Sequence, residues 1–327
     1  MPGIVYLSQI FSAFLLGMLL RVFKKPRIDM IETSRCQVEG MIAAIISSFI
    51  KKPILVNYGD PYWLRYKGIK LKLTRFFEKI TFKSKYVKAV VTYDPMVRDH
   101  IRREYPWLNV FFIPFGYDKK ILLPPSEEEI RKIKALVKGK RMVLYAGSMD
   151  EIIHKVSIIL DAAKIVIERI PDVVFVMIGD AGDLPYKVEQ KGLTSVFLFL
   201  GKLSKNEVWK WMHISDVCLQ VTIEWCTGLK VSEYMACGKA MISVSGFYNM
   251  YKDFLLNDVN CKLVPLDHKK LAEAIIELLN DEDKRKKFGA NAFKTIRPYT
   301  LEYVGLLHNN IRNSILKLYT NHSGRSK

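Results

Sequence analysis

The feature that most constrains this chain is a repeated alternation of short β-branched runs with longer stretches of helical periodicity. That alternation reads as parallel α/β layers. In the first part the candidate strands are Ile28–Glu32, Ile54–Tyr58, Val87–Thr92 and Val110–Pro114, with helices expected at about Leu7–Phe23, Gln37–Phe49, Leu64–Lys83 and Pro95–Glu104. Pro124-Pro125 and the acidic triplet Glu127–Glu129 mark a linker and a new helix, with Ser126 as N-cap and Glu129 as its capping-box partner. Beyond it, strands are expected at Met142–Ala146, Val173–Ile178, Val196–Leu200, Val217–Val221, Met241–Val244 and Lys262–Val264. Helices are expected at Ile153–Arg169, Lys205–His213, Leu229–Cys237 and His268–Leu279. Several of these strands are apolar throughout, as a sheet covered on both faces requires. The expectation is two Rossmann-type, doubly wound parallel-sheet domains facing a cleft, with ligand at the strand carboxyl ends. At 327 residues the chain is long enough for two domains.

Charge separates the two parts. Through residue 125, 21 Lys and Arg face 9 Asp and Glu, most of the net +18 of the whole chain. The densest stretch runs from Arg65 to Lys88, where nine bases face one acid, Glu78, with Trp63, Tyr66, Phe76, Phe77 and Phe82 interleaved. Bases mixed with aromatic rings suit an anionic membrane surface; a solvated basic helix face is the plain alternative. Nucleic acid is disfavoured, because no recognition motif accompanies the charge. Ile4 to Leu20 carries no charge, but seventeen residues are marginal for spanning a bilayer. With no basic flank before it and no cleavage site, it reads as a core helix of the first domain, or else a membrane-associated one. Cys36, Cys218, Cys226, Cys237 and Cys261 form no CxxC pair and lie mostly in apolar runs, the pattern of buried reduced thiols in a cytosolic protein.

The segment richest in chemistry is Glu224-Trp-Cys-Thr-Gly-Leu-Lys-Val-Ser-Glu233, leading into Tyr234-Met-Ala-Cys-Gly238. Gly228 precedes a helix whose first turns carry Lys230 and Glu233. A helix start offers unpaired N–H groups and a positive dipole end, where a diphosphate binds readily. Lys230 adds a point charge for phosphate, and a carboxylate at Glu233 accepts two hydrogen bonds from a ribose diol. Gly238 closes the helix as a C′ glycine.

This segment resembles the GT-B-fold glycosyltransferases of family four, in which a glutamate near the start of such a helix holds the nucleotide ribose. Ala146-Gly147 resembles the family's glycine-containing turn, and Lys155, with His154 beside it as a rival, lies near its phosphate lysine. Val176-Met-Ile-Gly179-Asp-Ala-Gly182-Asp resembles the next Gly-x-Gly turn, and Val196-Phe-Leu-Phe-Leu-Gly201, followed by Lys202, the strand bordering the base. Ile214-Ser-Asp216-Val217 is similar to the step before the donor helix, and Ile113-Pro-Phe-Gly116-Tyr-Asp118 to the turn leading out of the first domain. The resemblance implies a nucleoside diphosphate sugar as donor, retention at the transferred carbon, no metal, no cofactor, and a glycan or lipid-linked acceptor. It implies Glu224, Lys155 and Lys230 as the catalytic groups. Glu233, Gly228, Leu229, Gly147, Gly179, Gly182, Gly201 and Lys202 would contact the donor, and Asp60 and Gly116 would lie on the acceptor side or in the cleft. Asp281-Glu-Asp283 follows Leu279-Asn280 as a helix start and not as a metal motif.

The departures from the family's pattern bear on function. Glu224 and Glu233 are nine apart where the family has eight, and Ser148-Met149 stands where its phosphate arginine is common. Asn57-Tyr-Gly-Asp60 carries no histidine where many relatives have one. The first domain is short by the family's measure, so the organisation expected is a shortened acceptor-side domain over 1–124 and a linker with helix start over 125–139. The donor domain then covers 140–298, and a helix over 299–327 returns to the first domain. A partner protein completing the first domain, or a non-catalytic donor-binding subunit, is the alternative. The expected location is the cytoplasm, peripherally on the inner face of the membrane.

Overall fold

The computed structural model describes residues 2–23, 27–149, 151, 154–222, 229–245 and 253–323. They fall into two units, Met1–Pro114 with Glu302–Lys327, and Phe115–Leu301. The division lies at Pro114 rather than at residue 124, and the expected linker over 125–139 belongs to the second unit.

The first unit runs α1 (Pro2–Phe23), β1 (Ile31–Thr33), α2 (Val38–Ile50), β2 (Ile54–Asn57), α3 (Tyr62–Arg65), α4 (Gly68–Lys83), β3 (Val87–Thr92), α5 (Pro95–Glu104) and β4 (Asn109–Phe112). Its four strands are parallel and lie in sequence order, β1-β2-β3-β4, so they wind in one direction with no switch point among the described strands. Against one sheet face, Ala43 and Ala44 of α2, Phe82 of α4 and Val97 and Ile101 of α5 share a buried cluster with Ile54, Val56, Val87 and Val90. The single long helix expected over Leu64–Lys83 is two, because Tyr66 is extended and Gly68 turns at φ +57. The strand expected at Ile28–Glu32 starts later, where Ile31 first pairs with Ile54.

Glu78 explains why one acid stands among nine bases. On α4 it points inward and is 2% exposed. Oε1 accepts from Tyr105 Oη at 2.9 Å and from His100 Nε2 at 3.0 Å; Oε2 accepts from Tyr58 Oη at 3.3 Å, with Cys36 Sγ at 3.8 Å. Burial first pushes the Cys36 thiol and the Tyr58 and Tyr105 hydroxyls well above their ordinary pKa values; the Glu78 charge comes next for Cys36 and Tyr105, and Cys36 followed by Glu78 for Tyr58, so all three remain protonated donors.

In α1, Ala13 is buried and Phe14 meets Phe49 of α2 edge to face at 5.7 Å. Its opposite side leaves Phe11, Met18 and Val22 exposed, so the expected core helix is covered on one side only. No helix among the described residues is long and apolar enough to cross a membrane.

The second unit contains α6 (Glu127–Leu136), β5 (Arg141–Ala146), α7 (Ser157–Arg169), β6 (Val173–Ile178), α8 (Leu184–Gln190), β7 (Phe197–Gly201) and α9 (Lys205–Ile214). There follow β8 (Val217–Thr222), α10 (Lys230–Ala236), β9 (Ala240–Ser245), β10 (Lys262–Val264), α11 (His268–Asn280) and α12 (Glu282–Ile296). Its sheet is ordered β10-β9-β8-β5-β6-β7, with every pairing parallel. Winding reverses between β5 and β8, and a doubly wound sheet opens a crevice for ligand at that point. All six residues of β6 are buried, as its apolar run required. Helices α7 and α11 pack together over this core through Ile159, Ala163 and Val166 with Leu271, Ile275 and Leu278. The capping box at Ser126 and Glu129 is formed, and Glu129 also pairs with Lys210 of α9, a contact that lowers its pKa to about 2. Asp281 caps α12 by accepting from Lys284 N at 2.8 Å. Cys36, Cys218 and Cys261 are buried free thiols and Cys237 is a half-buried one; Cys226 lies outside the described residues.

Where the second unit begins and ends, Tyr117 N donates to Tyr299 O at 3.0 Å and Leu301 N to Tyr117 O at 2.9 Å. The helix that follows, α13 (Leu301–Ser323), belongs to the first unit from Glu302 onward. There Ile315, with Val304, Leu307 and Ile311, covers Leu55, Ala89 and Val91. Arg312 clasps Glu32 through two 2.8 Å bonds, which hold the Glu32 carboxyl below its usual range.

One close contact in the second unit tolerates no side chain. A Cβ on Gly289 of α12 would stand 1.9 Å from the carbonyl oxygen of Gly238, the residue that closes α10. Gly289→Ala is expected to force the two elements apart and cost about 1–3 kcal/mol. The check is a lower denaturant midpoint at an unchanged slope.

Candidate donor pocket

The carboxyl ends of β5, β6 and β7 are joined by a backbone staircase. Gly147 N donates to Ile178 O at 2.8 Å, and Gly179 N donates to Gly201 O at 2.8 Å. Gly147 and Gly179 hold φ of +146° and +138°, which L side chains rarely adopt. A Cβ on Gly179 would stand 2.0 Å from Gly147 O, so the two turns nest with nothing between them. Tyr145 Oη donates to Ser148 O at 2.6 Å, and Ala146 N donates to Tyr234 Oη at 3.0 Å, pinning the first turn from both sides.

Above this floor lies a pocket of about 370 Å³ at the β5–β8 switch point. Lys230, the first residue of α10, is 7% exposed and sits with Nζ 4.0 Å from the centre of the Tyr145 ring. Its Nζ lies 2.9 Å from where a Gly147 Cβ would stand, so the missing side chain at Gly147 is what admits the ammonium. One turn along α10, the Glu233 carboxylate faces the same pocket. Trp209 Nε1 donates to its Oε1 at 3.2 Å, and Lys205 Nζ pairs with it at 3.6 Å. Lys205 and Trp209 are four apart on α9, so one helix face supplies both. The remaining wall includes Ile178, Leu203, Val208, Met212 and Leu229. An apolar wall, one oriented carboxylate and a buried ammonium suit a ligand with a flat base, a vicinal diol and a diphosphate.

The expected site residues divide by place. Gly147, Gly179, Lys202, Leu229, Lys230 and Glu233 all line this pocket. Gly182 and Gly201 do not; they shape the turns behind it, Gly182 N reaching Asp180 Oδ1 at 3.4 Å and Gly201 receiving Gly179 N. Lys155 is exposed and outside the lining, whereas its rival His154, 7% exposed, is among the lining residues. Val221 O lies 3.3 Å from His154 Nδ1 and can only accept, so Nδ1 carries the proton in that bond. The exposure of Lys155 has a backbone cause: it sits at φ +40°, and α7 starts only at Ser157, which Glu151 caps at 2.7 Å. Gly116 abuts the backbone of Thr300 and Leu301, 3.1 Å from a would-be Cβ, a packing role within the second unit. Asp60 lies in the first unit, paired with Arg65 at 3.0 Å. Glu224 and Gly228 lie outside the described residues. The sequence reading missed Lys205 and Trp209, although the Ser204–Glu207 capping box, formed here, fixes their register on α9.

Gly179→Ala is expected to break the staircase, since its Cβ meets a backbone oxygen that no rotamer can move aside. Loss of about 2 kcal/mol or more of stability, read in thermal or denaturant unfolding, is the expected result.

With this geometry in place, comparisons with known proteins are informative. The family described as glycosyl transferases group 1 matches residues 126–295, just over half of the chain. A phosphatidyl-myo-inositol mannosyltransferase of Mycobacterium tuberculosis is 28% identical over 168 residues, 49% of this chain and 43% of the relative. The chain thus spans less than half the length of that curated relative. Among solved structures, Anabaena HepE in complex with UDP is similar with a TM-score of 0.78 at 17% identity, covering 92% of this chain and 82% of that one. A glycosyltransferase from Rickettsia africae gives 0.75 at 18% identity, covering 94% and 82%. At these identities the likeness is one of fold: two parallel-sheet α/β units of GT-B type.

Proposed function

The chain belongs to the glycosyl transferases group 1 family, and on that premise we propose that it moves a sugar from a nucleoside diphosphate sugar to a glycan or lipid-linked acceptor, with retention and without a metal. The observation that carries this reading is the pair Lys230 and Glu233, one helical turn apart and facing one pocket at the sheet's switch point. Glu233, held by Trp209 and Lys205, takes the ribose diol. Lys230 faces the diphosphate from the pocket floor, and His154 stands beside it where Lys155 was expected. Leu229 and the apolar wall take the base, with Lys202 at the rim, and Glu224 takes the transferred sugar. HepE has been captured with UDP and with UDP-glucose, which supports a nucleotide of this class.

The chemistry needs no protein nucleophile. As the glycosidic bond to the diphosphate breaks, charge grows on the leaving phosphate oxygen, and a preorganised ammonium stabilises that charge more than it stabilises the ground state. The acceptor hydroxyl then attacks from the face the diphosphate leaves. Acceptor contacts, Asp60 among them, are assigned to the first unit. The acceptor is met at an anionic membrane surface through Arg65–Lys88, a reading supported by the concentration of bases there.

A second reading, a donor-binding subunit that needs a partner protein, is favoured by β1, a three-residue strand with β2 as its sole described neighbour in the sheet. Incubation with a panel of labelled nucleotide sugars and lipid or glycan acceptors separates the two. Transfer supports the first, binding without turnover under any acceptor supports the second, and absence of nucleotide binding sinks both. Glu233→Ala is expected to weaken nucleotide affinity about 10- to 100-fold, the loss of charge-assisted hydrogen bonds worth about 1.5–3 kcal/mol. Titration calorimetry checks it, with circular dichroism unchanged; equal affinity would show the ribose contact lies elsewhere.

A further inference from the structure

Helix α4 presents two faces of different chemistry. Inward go Thr74, Phe77, Glu78, Thr81 and Phe82, all buried. Outward go Ile69, Leu73, Phe76 and Ile80, at spacings of four, three and four, which align them along one stripe. Ile69 is 77% exposed and Phe76 56%, unusual for large apolar side chains lined up along one helix face. Along one flank of the stripe run Lys72, Arg75, Lys79 and Lys83, all exposed and none ion-paired among the described residues. The helix's acid, Glu78, is held from the inner side by Tyr58, Tyr105 and His100 and lines the floor of the cleft beside these bases.

That basic flank borders a cleft of about 530 Å³ between α4 and α5, on which Arg75, Lys79 and Lys83 converge. Trp63 and Trp107 form its walls, and Trp107 is 59% exposed while its Nε1 donates to Phe82 O at 3.2 Å. Two acids also line the cleft: Glu104, paired with Arg103 at 2.9 Å, and Glu78, engaged by Tyr58, Tyr105 and His100, which leaves the three α4 bases as the anion-seeking set.

We propose that the outer face of α4 lies in the interfacial layer of an anionic phospholipid bilayer, and that the cleft beside it seats a lipid phosphate on Arg75, Lys79 and Lys83. The stripe supplies the apolar term, removing Ile69, Leu73, Phe76 and Ile80 from water among the acyl-chain ends. The flank supplies the electrostatic term against the headgroup phosphates. Indole rings flanking the cleft suit the same depth, where an apolar body and a polar N–H are both satisfied. This deepens the reading of Arg65–Lys88 as membrane-facing and rests on it; it is independent of which donor the second unit binds.

The test is sedimentation of the full chain with vesicles of phosphatidylcholine alone and of phosphatidylcholine with phosphatidylglycerol. The wild type is expected to pellet with the anionic vesicles. The triple variant Arg75→Glu, Lys79→Glu, Lys83→Glu should bind roughly a hundredfold more weakly, as three bases each giving about a fivefold factor imply. Leu73→Ser with Phe76→Ser should lose the part of the binding that survives high salt, and Phe76→Trp should be quenched by lipids brominated on their acyl chains. All sites are exposed, and thermal unfolding shows whether each variant remains folded. A wild type that ignores both vesicles overturns the membrane reading along with the proposal. A wild type that binds while both α4 variants bind equally well overturns the proposal alone. So does a stripe variant that converts a dimer to a monomer in velocity sedimentation without changing vesicle binding, since the stripe would then cover a second copy of the chain. Nucleotide affinity measured on the same variants should be unaltered.

Discussion

The second unit is organised around a contact between two pieces of backbone. Gly147 and Gly179 end adjacent strands and stand so close that one methyl group would collide with a peptide oxygen. That nesting sets the height of the pocket floor, and the absence of a side chain at Gly147 decides how deep the Lys230 ammonium descends. Tyr145 then lies beside the ammonium, its ring centre 4.0 Å from Nζ, in a cation–π contact. Glu233, a turn farther along, is held by an indole and a lysine of α9.

The first unit handles charge in the opposite way. The buried carboxylate of Glu78 is surrounded by two protonated hydroxyls, a thiol and an imidazole from three other segments of the chain. Taking a carboxylate out of water is costly unless its lone pairs are satisfied, and here four groups satisfy them. The consequence reaches the surface: with Glu78 used inside, the outer side of α4 is left with bases and apolar groups alone. The inner network and the outer face are two results of one residue's orientation.

What the sequence made legible was what depends on neighbours in the chain. The buried β6, the capping box at Ser126 and Glu129, and the one-turn spacing of Lys230 and Glu233 are local patterns, and the structure contains all three. What it concealed depends on distant partners or on single backbone angles. Glu78 stood in the sequence only as the one acid among nine bases, because its partners are 20 to 42 positions away. The resemblance offered Lys155 near the phosphate with His154 as its rival, and the backbone turn at φ +40° that leaves Lys155 exposed while His154 lines the pocket is not written in the local sequence. The start of β1 was misjudged by three residues for a related reason: a strand begins where its partner begins, and Ile54 lies more than twenty residues on.

The position of α13 bears on the order in which the chain is made. The helix follows the second unit in sequence, yet its apolar side covers Leu55, Ala89 and Val91 of the first. On the ribosome, the four-strand sheet therefore emerges with one face bare and waits through the synthesis of the whole second unit before its cover arrives. The second unit, its two ends already paired at Tyr117 and Tyr299, has every strand it needs by then. The part of the molecule begun earlier is thus completed later, and during that interval an uncovered parallel sheet is exposed to chaperones and to aggregation.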